Sequence, residues 1–107
     1  MAAISIDSEQ FSRMLAGEKP LLVDFWAPWC VHCRRLQAAF DKVAEENADT
    51  VLAVKINIDE EMELTNAEGI EIIPTLVLYK NGKRAASVVN PGSKAAIDAF
   101  LRDELGR

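Results

Sequence analysis

The stretch Trp26-Ala27-Pro28-Trp29-Cys30-Val31-His32-Cys33-Arg34-Arg35 sets two thiols three positions apart. The compact apolar run Leu21 to Trp26 leads into it, and Leu36, Phe40, Val43 and Ala44 follow at helical spacing. A strand therefore hands over to a helix at the cysteines. Unpaired backbone N–H groups and the positive end of the helix dipole stabilise a thiolate at such a start. A second thiol one turn later is close enough to attack a mixed disulfide. At roughly 100° per residue, Cys33 falls near the apolar stripe and Cys30 at its edge, which makes Cys30 the expected nucleophile and Cys33 the resolving thiol. His32 and Arg34 add positive charge beside them, at some expense to the helix start.

Outward from this point, Val51 to Ile58 is a second apolar run rich in branched residues. Strand, helix from Cys30 to Asn47, and strand form a unit whose crossover is right-handed and whose strands are parallel. Chemistry gathers at the carboxyl ends of such strands, where the cysteines lie. Upstream, a short strand around Ile4 precedes a helix marked by the Asp7 and Gln10 capping box, the Ile6 and Phe11 staple, and Phe11, Met14 and Leu15 before Gly17. Downstream, acids at Asp59 to Glu61 favour a short helix that Gly69 can end. Ile73-Pro74 then leads into Thr75 to Lys80, and Arg84 to Val89 returns across Asn81-Gly82, a type I′ hairpin signal. Ser93 caps a last helix with Ile97, Phe100, Leu101 and Leu105 on one face. The expected fold class is α/β: one domain over residues 1–107, with a central mixed sheet flanked by helices on both faces.

Asp24 interrupts Leu21-Leu-Val-Asp-Phe-Trp26, where a lone buried charge costs several kcal/mol, so a functional role outweighs that of an ordinary strand-end carboxylate. Lys55 reads equally as a snorkelling strand lysine or as a partner of that acid. Trp26, Phe25 and Phe40 follow core periodicity, whereas Trp29, next to Cys30, is the better contact residue.

Val23-Asp-Phe-Trp-Ala-Pro-Trp-Cys30, Lys55-Ile-Asn-Ile-Asp59, Ile73-Pro-Thr75 and Lys80-Asn-Gly82 together resemble the thioredoxins, over Ile4 to Leu105. The resemblance implies a thioredoxin fold and thiol–disulfide oxidoreductase activity. It makes Cys30 the nucleophile, Cys33 the resolving thiol, Asp24 a buried carboxylate assisting proton transfer at Cys33, and Lys55 the partner of Asp24. It also implies that Pro74 is a cis-proline facing the cysteines, that Ile73 offers backbone groups to an extended substrate, and that Trp29 flanks the groove. The chain departs from the family where Val31-His32 replaces Gly-Pro and Asn90 replaces a glycine in the loop opposite the cysteines. Histidine before the second cysteine resembles the disulfide isomerases, and His32 and Val31 are the expected redox-tuning residues. Asn tolerates positive φ, so Asn90 can keep that turn and its place in the substrate groove.

Seventeen acidic and 12 basic side chains give a net charge of -5, with the cations scattered, which argues against nucleic acid as a partner. No apolar run is long enough to cross a bilayer, and Met1 to Asp7 lacks the order of a secretion signal, so a cytoplasmic location is expected. Two closely spaced cysteines do not make a secreted disulfide scaffold. Cys30, His32 and Cys33 are too few for a structural zinc site unless carboxylates or a partner subunit complete it. No metal or bound cofactor is expected, and the chain is expected to be monomeric. The leading function is reduction of substrate disulfides, with disulfide-containing proteins and a regenerating reductase as partners. The alternatives are an oxidase or isomerase, and a binding module that uses the groove without turnover.

Overall fold

A computed structural model describes residues 3–107. Met1 and Ala2, part of the segment read above against a secretion signal, lie outside the described residues. The order is β1 (Ile4–Ser5), α1 (Ser8–Leu15), β2 (Leu21–Trp26), α2 (Val31–Glu46), β3 (Leu52–Asn57), α3 (Met62–Ala67), β4 (Thr75–Lys80), β5 (Lys83–Val89) and α4 (Lys94–Leu105). Each element lies where the sequence pattern puts it, shifted by a residue or two at several ends.

The sheet runs β1-β3-β2-β4-β5. β3 is parallel to β1 and β2, while β4 is antiparallel to β2 and β5. This is the mixed sheet of the α/β class expected. β2 is central and, apart from half-buried Trp26, buried along its length, as its unbroken apolar run requires. β3 is less covered at its start, where Leu52 and Ala53 are only half-buried.

Strand alternation sorts the two faces. Leu22, Leu76 and Leu78 meet Leu36, Phe40, Ile97 and Leu101 from α2 and α4. Val23, Phe25, Ile56 and Val77 meet Phe11 of α1, with Leu64 of α3 packed alongside. Helices therefore cover both faces.

The local signals are present as geometry. The Asp7 side chain accepts from Gln10 N–H, and the Gln10 side chain accepts from Asp7 N–H. Asn81 and Gly82 have φ of 55° and 76°, which close the hairpin as a type I′ turn requires. The Ser93 side chain accepts from Ala96 N–H. Gly17 differs from a left-handed glycine cap: α1 ends on Ala16 in the right-handed region, and a Cβ at Gly17 would lie 3.2 Å from the Met14 carbonyl oxygen. Close backbone approach is what favours glycine there. The Glu61 carboxylate also accepts from Ser8 N–H at 2.8 Å, tying the start of α1 to the start of α3.

β5 is the long edge of the sheet. Leu78 pairs with Ala86 and Tyr79 with Arg84, so Ala85 is bulged out with no residue opposite. Lys83 and Arg84 begin the strand, and both are exposed.

Phe40 is fully buried beneath α2. Phe40→Ala is expected to cost about 3–5 kcal/mol of stability, and Asp7→Ala about 1 kcal/mol through loss of the cap. Urea denaturation of the two variants checks both values. Equal losses would contradict the division between core and cap.

Candidate active site

After Trp26 the chain leaves the central strand, turns through Ala27 to Trp29, and enters α2 at Cys30. Cys30 is the N-cap, with extended backbone (φ -88°, ψ 114°), and its Sγ accepts from Cys33 N–H at 3.2 Å. The sulfur thus occupies the place that a serine or aspartate oxygen usually takes at a helix start. No acidic residue lies in the first turn of α2, so the positive end of the helix is left to the sulfur. Cys30 and Cys33 are joined in a disulfide with Cα atoms 5.2 Å apart. Cys33 is 2% exposed and Cys30 8%, so Cys30 is the outer of two well-covered sulfurs.

Ala27, with Trp26, Ile58 and Ile73 packed alongside, walls the pair. The Ile73–Pro74 bond is cis, and the Ile73 carbonyl oxygen lies 3.8 Å from Cys30 Sγ. Asn90 N–H donates to the Pro74 carbonyl at 2.8 Å, and Asn90 has φ 46°. The two loops opposite the cysteines are thereby fastened to each other. Trp29 is 63% exposed, yet its Nε1 donates to Asp59 Oδ2 at 2.8 Å, which fixes the ring. Val31 faces solvent beside Cys30, as Ile72 does beside Ile73. His32 is exposed on the first turn of α2.

Asp24 is two residues from Leu22 and from Trp26 on the same strand, so all three project toward α2. Lys55 is its register partner on β3. The Asp24 carboxyl is 1% exposed, and its Oδ1 has no hydrogen-bond partner among the described residues. Burial pushes its pKa from an ordinary 3.8 up to about 7, with Lys55 pulling it down and Asp41 of α2 adding to the rise. Lys55 acts on Asp24 through space rather than by a close ion pair, and its Nζ lies 5.5 Å from the centre of the Trp26 ring.

The structure therefore brings Cys30, Cys33, Val31, His32, Trp29, Ile73, Pro74 and Asn90 to one end of the sheet. Asp24 and Lys55 lie beneath α2. A linked thiol pair at a helix start, facing a cis-proline turn, is suited to reversible exchange with another disulfide.

The sequence profile of the Thioredoxin family matches residues 2–103. This chain belongs to the thioredoxin family. It is 38% identical over 104 residues to the thioredoxin of Alicyclobacillus acidocaldarius, covering 97% of this chain and 99% of that protein. It is also 38% identical to thioredoxin 1 of Synechococcus elongatus, over 98% of each chain. To the chloroplastic M-type thioredoxin of Pisum sativum it is 40% identical, over 85% of this chain and 53% of that protein. Like other thioredoxins, this protein is a dithiol–disulfide oxidoreductase, working through Cys30 and Cys33.

Sequence reasoning missed two residues that shape this thioredoxin site. Asp59 is read from sequence as a helix-start acid, but it holds the Trp29 indole. Its signal was its position just past the carboxyl end of β3, the end where β2 delivers Trp29. Asp41, which raises the Asp24 pKa, had no signal, being one of several charges along α2.

The folded Asp24 carboxyl keeps its proton to a higher pH than the unfolded one. The native state thus binds more protons between pH 3.8 and about 7, and stability falls as pH rises through that window. Asp24→Asn is expected to match the wild type near pH 4 and to exceed it above neutrality, by up to about 4 kcal/mol. Denaturant titrations across pH check this. A difference independent of pH would contradict it.

Proposed function

We propose that the protein is a cytoplasmic reductant of protein disulfides, in which Cys30 attacks and Cys33 resolves. The observation that carries this reading is the placement of Cys30 Sγ at the helix start, against Cys33 N–H. In the reduced protein that N–H and the helix dipole favour a thiolate on Cys30. The thiolate attacks one sulfur of a substrate disulfide. The other substrate sulfur departs and takes up a proton, leaving a mixed disulfide. Cys33 then loses its proton and attacks Cys30 Sγ, releasing the second substrate thiol. Two electrons have passed to the substrate, and the protein holds its own disulfide until a reductase returns two.

Asp24 serves as the acceptor of the Cys33 proton. Its pKa of about 7 suits a base working near neutral pH, and it lies beneath the helix that carries Cys33. Lys55 moderates that pKa across the strand pair. Trp29, Ile73, Pro74 and Asn90 form the groove for an extended substrate segment. Two cysteines three apart, rather than a widely spaced disulfide framework, favour a reducing compartment.

Cys33→Ser is expected to stop after the first step and to accumulate a covalent adduct with the substrate, whereas Cys30→Ser forms none. Non-reducing electrophoresis and mass spectrometry distinguish the two. Adduct on the Cys30→Ser variant instead would reverse the roles.

An oxidising direction has one observation in its favour, the exposed His32 on the first turn, where a ring N–H donor stabilises a nearby thiolate. Such stabilisation favours the dithiol and raises the reduction potential. The double variant Val31→Gly, His32→Pro is expected to lower the potential by about 30 mV, a tenfold change in the equilibrium constant. Equilibration against glutathione measures it. An equal or higher potential in the variant would remove His32 as the tuning residue.

A further inference from the structure

Asn90 stands across from Pro74, bonded to its carbonyl at 2.8 Å, and Pro74 adjoins the residue whose carbonyl lies 3.8 Å from Cys30 Sγ. Its φ of 46° lies in the left-handed region, which glycine adopts freely and asparagine tolerates. Only one other non-glycine described residue, Asn81, has positive φ, and the two-residue hairpin turn accounts for it. No hairpin accounts for Asn90. The residue is exposed, and its carboxamide makes no hydrogen bond to the described residues. An uncommitted donor and acceptor held at the rim of a reactive site point to a partner that arrives with the substrate.

The backbone opposite explains what is missing. An extended substrate laid along Ile73-Pro74 meets no N–H at Pro74, because proline has none. The Pro74 carbonyl is already committed to Asn90 N–H. The protein's main chain therefore offers the substrate an interrupted ladder beside the thiol. A carboxamide has the donor and acceptor of a peptide group on a short arm.

We propose that the Asn90 carboxamide hydrogen-bonds the main chain of the substrate segment next to its disulfide, making this site selective for extended polypeptide disulfides over small ones. The proposal rests on the reading of Cys30 as the attacking thiol, with the substrate lying along Ile73-Pro74. Asn90 is a positioning and specificity residue in this scheme and takes no part in bond exchange.

The test compares kcat/KM for a disulfide-linked pair of short peptides with that for hydroxyethyl disulfide, which has no peptide group. Asn90→Gly removes the carboxamide while easing the backbone, so the loop keeps its conformation. The ratio of the two kcat/KM values is expected to fall about fivefold in Asn90→Gly, through KM for the peptide, as loss of one neutral hydrogen bond predicts. N-methylation of the peptide amides flanking the cysteine is expected to lower the wild-type ratio more than the Asn90→Gly ratio, which keeps only the backbone contacts at Ile73 to lose. A ratio unchanged by Asn90→Gly, or an N-methylation effect of equal size in both proteins, overturns the proposal. A wild type that reduces neither disulfide overturns the dithiol reading itself, and this proposal with it.

Discussion

A strand bonded on both edges and covered on both faces has nowhere to move, and β2 is that strand here. It pairs in parallel with β3 and antiparallel with β4, with helices packed above and below. The same strand carries Asp24 inward and ends at the turn that delivers Cys30 to the start of α2. Asp24 and the turn leading to Cys30 are thus positioned by one rigid element, and the loops at Pro74 and Asn90 are braced against it through β4. Precision of this kind is needed when one sulfur must approach another in line.

The central position has an energetic consequence. A strand buried on both faces should be wholly apolar, and Asp24 breaks that rule with an oxygen that no described residue satisfies. The fold tolerates the intrusion because the carboxyl can hold its proton up to about pH 7, and because Lys55 lies one strand away. The surrounding leucines and Phe40 supply the stability that this position lacks. Local rules are broken at Asp24 and obeyed around it.

The fold was legible because its signals are local. The Asp7 and Gln10 box, the Asn81-Gly82 turn and the apolar stripe from Leu36 to Ala44 each act within a few residues, so neighbours in sequence are enough to read them. The cysteine pair was legible for the same reason. Contacts made across long stretches of chain were not. Asp59 and Trp29 are 30 residues apart, and Glu61 and Ser8 are 53 apart. Nothing near either member names its partner, and only the strand order brings them together. The raised pKa of Asp24 was half legible: its apolar neighbours announce burial, but the like charge of Asp41 depends on how α2 lies over the sheet.

The bulge at Ala85, with Lys83 and Arg84 at the head of β5, has a meaning outside the chemistry. At the opposite side the sheet ends in β1, only two residues long. An open sheet edge is a template on which another chain can add a strand, and bulges, cations and brevity are the devices that deny it. Proteins whose cross-links are being cut lose part of what holds them folded, and they expose unpaired strands of their own. A catalyst that meets such chains repeatedly, with a long, flat and apolar edge, would be drawn into aggregates by its own clients. Here the rim of the sheet is left inhospitable to an added strand.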